Sequence, residues 1–187
     1  MDWVVASISS AVLFALVSVL DKRILAVHVP GIMGFYFLVG IIQFGMAAVI
    51  ALLVPWHGGE MGSIVMAAFS GGLAGASLLA LFYGFRHLDV SRAVPIFHTF
   101  PVFVAIMAVA FLDEQLSLVH WIAILVVVIG AGLVMIGQPQ IQAAGVKKIA
   151  FAAVAFSSFA MAVSTIASKV ALDQMETWEV FIIRSLF

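Results

Sequence analysis

His98 stands between Pro95 and Pro101 inside a run, Ala93 to Leu112, that holds no other ionisable side chain. An imidazole ordinarily titrates at about 6.5, so near neutrality it can accept, donate or carry a proton. Pro95 shares a helical face with His98 at a spacing of three. Each proline lacks an N–H and leaves a carbonyl without its usual helical donor. Such groups are tolerated away from water only where they line a cavity or meet a partner. The combination points to reversible binding of a small solute or to proton carriage, with Thr99 assisting. The plainer alternative is a neutral imidazole bonded to a neighbouring helix, and a Thr99 hydroxyl bonded back to its own.

The other candidates are polar groups on apolar runs. Lys22, which follows Asp21, closes the first run and Lys169 closes the sixth. Lys22 could be a counter-charge for an anionic or zwitterionic solute, or could snorkel its ammonium to an interface. Ser18 lies one helical turn before it. Gln43 sits mid-run and must find a partner. Ser70, Ser77 and Gly84 recur at a spacing of seven, and Ser157, Ser164 and Ser168 share one face of the sixth run. Either stripe could line a polar path or hold helices together. Gly71 and Gly75 form a small-x-x-x-small step that favours close packing. Tyr83, near a helix end, is a further lining candidate, although with Trp3, Trp56, Trp121 and Trp178 it also fits an interfacial aromatic belt. Asp113-Glu114 occupies a short turn, where Glu114 is expected to favour the positive end of the next helix. Cysteine is absent and the five His are scattered, so neither a thiol nucleophile nor a metal site is expected.

The elements that must position these residues are membrane helices. Hydrophobic residues make up 65% of the chain and charged ones 9%, too little polar surface to coat a water-soluble globule. Six apolar runs each approach the roughly 20 residues that a spanning helix needs: Val4–Ala26, Ile32–Val54, Ser63–Phe85, Ala93–Leu112, Leu118–Ile136 and Ile149–Ala171. A seventh begins near Trp178. His28-Val29-Pro30-Gly31, Pro55-Trp56-His57-Gly58-Gly59 and Gly137-Gln138-Pro139 separate them with turn residues. None of the runs alternates as a barrel strand would. The first run, with Asp2 where a signal peptide would be basic and no cleavage site, reads as a retained helix. The expected fold is therefore an all-α polytopic membrane protein. Six of the eight cations follow odd-numbered helices, which by the positive-inside rule places the N-terminus outside.

Matching Lys22 to Lys169, an offset of 147, also aligns Ser10 with Ser157, Ala15 with Ala162, Leu25 with Leu172, and Ser18 with Thr165. A repeat of five helices is odd, so its second copy would enter the membrane upside down, an architecture common among carriers with a midplane site between the halves. The segment Pro95 to Gly137, PIFHTFPVFVAIMAVAFLDEQLSLVHWIAILVVVIGAGLVMIG, resembles the signature of the EamA family in the drug/metabolite transporter superfamily. That signature has a helix opening with prolines, a Leu-Gly-Glu-x-Leu-Ser-like turn and a Trp-x-Gly helix opening. Leu81–Arg92 is similar to the family's junction between the third and fourth helices. Asp113 and Ala123 stand where the family pattern usually has Gly.

The resemblance implies two inverted five-helix repeats: residues 1–137 as the first, and 138–187 as the start of a second that is cut short. It also implies a carrier that exports or imports small metabolites, often with a cytoplasmic N-terminus, opposite to the charge count. The expected partners are the lipid bilayer and a small-molecule solute, with a homodimer compatible and neither nucleic acid nor a cofactor involved. A bacterial-type inner membrane is the expected location. Transport would rock one repeat against the other, with the first, third and fourth helices lining the path and His98 offering proton coupling. A non-transporting scaffold or channel subunit is the alternative, although no repeated filter sequence is visible. An intramembrane enzyme would need convergent acids, bases or nucleophiles at one depth, and only His98 is expected to lie deep.

Overall fold

The computed structural model describes residues 2–27, 31–136 and 144–187. The turns proposed at His28–Pro30 and Gly137–Pro139 fall outside the described residues. Eight helices follow one another: α1 (Asp2–Val27), α2 (Ile32–Leu53), α3 (Met61–His87), α4 (Val90–Phe97), α5 (Phe100–Phe111), α6 (Leu118–Ile136), α7 (Ala144–Leu172) and α8 (Thr177–Ser185). There is no strand among the described residues. Five segments are long and apolar enough to cross a membrane: Val5–Leu25, Ile32–Leu53, Met61–His87, Val90–Phe111 and Lys148–Leu172. A shorter apolar helix covers Leu118–Leu133. The chain is an all-α, multi-pass integral membrane protein in contact with lipid.

Its burial pattern fits that solvent. Large apolar residues such as Val12, Leu16, Phe37, Ile42 and Leu125 face outward, while Ser70, Ser77, Ser157, Ser158, Ser164 and Glu179 are buried. In lipid, apolar side chains gain nothing by hiding, so helices associate through close packing and hydrogen bonds between polar groups. The centre of the bundle is the antiparallel pair α3 and α7. Ser77 Oγ donates to the Ser157 carbonyl at 2.8 Å, and Ser157 Oγ returns a bond to the Ser77 carbonyl at 2.7 Å. Two turns along, Ser164 Oγ donates to the Ser70 carbonyl at 2.8 Å, and the Ser70 and Ser168 hydroxyls share a bond at 2.5 Å. The heptad spacing of the serines on both helices keeps them on the shared seam.

Two glycines permit this closeness. A Cβ on Gly84 would run into the Val154 side chain, and one on Gly71 would meet the backbone of Arg184 in α8. One apolar cluster gathers Leu25, Phe35, Leu81, Phe82, Phe85, Phe97 and Val154 toward the end of α3. Another joins Ala67, Ala171, Met175, Val180 and Ile183 at its start.

The fourth membrane crossing is not one continuous helix. α4 ends and α5 begins at His98–Thr99. Pro101, in the first turn of α5, has no N–H to offer the Phe97 carbonyl, so the ladder cannot continue. The chain instead tightens: Thr99 N–H donates to the Ile96 carbonyl at 3.1 Å and Val102 N–H to the Thr99 carbonyl at 3.0 Å, each spanning three residues.

Candidate functional site

His98 sits roughly 12 Å along the fourth crossing from Val90, at about 1.5 Å per residue, and so lies near the middle of a ~30 Å hydrocarbon core. It is half-buried in an aromatic setting. Phe14 of α1 meets it edge-on with centroids 4.9 Å apart, and Phe97 and Phe100 flank it at 5.5 and 6.2 Å. Phe14 also stacks on Phe97 at 5.8 Å. The Thr99 hydroxyl donates to the Ile96 carbonyl at 2.7 Å and shares a 3.0 Å bond with Ser158 of α7, itself fully buried. The helix break therefore joins α1, the fourth crossing and α7. Pro95 lies inside α4, and Pro101 is exposed at the start of α5.

The other sequence candidates do not converge on this point. Ser18 is buried and donates to the Phe14 carbonyl of its own helix at 2.8 Å. Lys22 is engaged by the end of α3. Its ammonium donates to the Leu88 carbonyl at 2.7 Å and to the Phe85 carbonyl, capping the C-terminal end of α3. The positive charge there complements the helix dipole. Ser77 lies in the α3–α7 seam, where its hydroxyl is engaged by Ser157. Tyr83 is half-buried and stacks at a tilt on His87, 4.5 Å between centroids. Gln43 is exposed on α2 and lines a cavity separate from the break.

The acidic turn has its own geometry. Asp113 has φ 51°, in the left-handed region that Asp tolerates better than most residues, where the family pattern usually has Gly. Glu114 N–H and Leu112 N–H both reach back to the Ala108 carbonyl, at 3.3 and 3.0 Å, closing α5 around the left-handed Asp113. Glu114 does not cap the next helix as expected. It forms an ion pair with Lys169 at the end of α7. The residue just before α6 is Ser117, whose hydroxyl bonds His120 Nδ1 at 2.7 Å. Trp121, in the first turn of α6, is 37% exposed, partly open to lipid.

Two features escaped the sequence reading. His98 is not alone at depth: Arg184, counted there only toward orientation, is half-buried and donates through Nη2 to Ser164 Oγ at 3.3 Å. Glu179, 1% exposed, accepts the backbone N–H groups of His57 at 2.6 Å, Gly58 at 2.9 Å and Glu176 at 3.2 Å. The Glu176-x-x-Glu179 spacing of a capping box was the available signal for Glu179. Arg184 was signalled by a cation inside an apolar run.

With Ser63 Oγ donating to Gln174 Oε1 at 3.1 Å, these contacts fasten α7 and α8 to the loops 54–60 and 112–117 at one end of the bundle. The cavity, about 680 Å³, lies away from that end between α2, α3 and α8. No group of three or more His, Asp or Glu able to hold a metal occurs among the described residues. The arrangement suits binding and conformational change: a polar break at mid-membrane, a helix pair held by serines, and a cavity alongside.

No curated protein and no solved structure matches the chain. The model of the EamA-like transporter family matches residues 1–136, from α1 to the end of α6, and includes the proline-flanked break and the Asp113-Glu114 turn. With well over half of its length inside that match, the chain belongs to the EamA-like transporter family.

Proposed function

We propose that the protein is a carrier of small metabolites that works by alternating access in a bacterial-type inner membrane. One observation carries the reading: the fourth crossing is broken at His98–Thr99, at mid-membrane, and the break is seated against α7 through Thr99 and Ser158. Broken helices at the interface of two repeats are where carriers bind and release their solutes. In this reading residues 1–137 form the first repeat and 138–187 begin the second. In support, the matched residues Ser18 and Thr165 each donate to the carbonyl four residues back in their own helix, at 2.8 Å in both cases. His98 couples solute movement to a proton, its imidazole being the titratable group at the break.

Reconstitution into proteoliposomes and uptake of a panel of radiolabelled amino acids and organic metabolites tests the carrier. Saturable uptake is expected; fast conductance linear in concentration would instead favour the channel alternative. His98→Gln, which keeps a polar side chain without a titratable proton, is expected to abolish acceleration by a pH gradient while leaving exchange at equal pH measurable. Undiminished dependence on the gradient in that variant would remove His98 from proton coupling.

A further inference from the structure

The cavity between α2, α3 and α8 contains a cation, Arg184, that the described residues leave incompletely satisfied. Its volume, about 680 Å³, falls within the roughly 300–1,000 Å³ of small-molecule sites. Phe37, Phe44 and Phe181 contribute to an apolar wall, interrupted by Tyr36, Gln43 and Arg184. Arg184 lies about 10 Å along α8 from Thr177, at about 1.5 Å per residue. A guanidinium has five N–H donors and keeps its charge in proteins. Among the described residues its one hydrogen bond is the 3.3 Å contact to Ser164 Oγ, a neutral hydroxyl that also donates to the Ser70 carbonyl. Among the described residues no carboxylate comes within ion-pairing distance of it. A cation drawn out of water without a counter-charge is unfavourable.

We propose that this cavity binds a small organic carboxylate with an apolar body. The carboxylate pairs with Arg184 in the two-pronged geometry that the guanidinium favours, and Tyr36 and Gln43 hydrogen-bond its remaining polar atoms. The aromatic wall takes the hydrocarbon or ring portion. A phosphate ester fits less well, since one guanidinium and an apolar wall poorly replace the hydration of a doubly charged group. The site is distinct from the His98 break. It is a second site, independent of the carrier reading and of the cargo taken up at the break.

The test is equilibrium binding to the full chain in lipid nanodiscs, which needs no transport. The probes are 3-phenylpropionate, its neutral amide 3-phenylpropionamide, and phenyl phosphate. The carboxylate is expected to bind saturably and at least about tenfold more tightly than the amide, the scale of one charge-assisted pair. Arg184→Gln is expected to remove that preference while the amide binds as before, which shows the cavity still formed. Arg184→Lys is expected to keep part of it, and Gln43→Leu to weaken the carboxylate about threefold or more, at the low end for one hydrogen bond. Absent or equal binding of acid and amide to the unaltered protein would overturn the proposal. So would a preference that survives Arg184→Gln, or tighter binding of phenyl phosphate. Binding without any flux in proteoliposomes would overturn the carrier reading and leave this site standing. Flux without carboxylate binding would do the reverse.

Discussion

Lys22 shows how one side chain can be placed by the membrane and used by its neighbours. It ends a run of apolar residues at a point where α3 also ends, and the last carbonyls of α3 need donors that lipid cannot supply. The ammonium meets the Phe85 and Leu88 carbonyls together. Replacing it with Met keeps the length and removes the donors, so Lys22→Met is expected to lose about 1.5–3 kcal/mol, the scale for hydrogen bonds to a charged group. Lys22→Arg should recover much of that, and thermal unfolding in detergent read by tryptophan fluorescence checks both. If Lys22→Met unfolds with the unaltered protein while solute affinity collapses, the residue serves the solute and not α3. In the sequence, Lys22 was visible as a cation at a helix end. Its partner was not, because the carbonyls it caps lie more than 60 residues away and carry no side-chain signature.

At the scale of elements, the α3–α7 seam explains why serines at heptad spacing could be seen but not interpreted from sequence. Ser70 and Ser77 define one face of α3, and Ser157 and Ser164 one face of α7. Whether two such faces meet or line an aqueous path depends on partners 80 and 94 residues away. Antiparallel contact turns the stripes into a reciprocal pair of hydroxyl-to-carbonyl bonds at Ser77 and Ser157 and a one-way bond from Ser164 to the Ser70 carbonyl, and Gly84 lets the backbones close around Val154. A double-mutant cycle on Ser77→Ala and Ser157→Ala tests the 3.0 Å contact between the two hydroxyls, because each bond to a backbone carbonyl loses only its own donor. The expected coupling is about 0.6 kcal/mol and at most about 1.7, the measured range for bonds between membrane helices. Coupling of zero would place the two hydroxyls apart. The helices themselves were largely legible, since length and hydropathy fix them. The break at His98–Thr99 was foreshadowed by two prolines, but the spacing of Pro95 and Pro101 alone did not say which residue would leave the helix.

Across the whole molecule, polar contacts are unevenly distributed in a way that matters for a carrier. At the end formed by loops 54–60, 112–117 and 173–176, the two proposed repeats are tied by the Lys169–Glu114 ion pair, by Glu179 with the His57 and Gly58 amides, and by Ser63 with Gln174. The cavity lies away from this clasp, nearer the middle of the bundle. On the carrier reading proposed above, this end must open in one of the two alternating states, so release of the clasp is a motion that the cycle requires. The ion pair, half-exposed, contributes little stability by itself. Its geometry makes it a useful reporter of whether the ends separate. The chain has no cysteine, so Glu114→Cys combined with Lys169→Cys introduces the only thiols. A short bifunctional, reducible methanethiosulfonate reagent is expected to join them in the state described here, to stop uptake into proteoliposomes, and to release it on reduction. Each single variant should transport normally with or without the reagent. Uptake that continues with the two positions fully joined would mean that this end never opens during the cycle, and the alternating-access reading would have to give way.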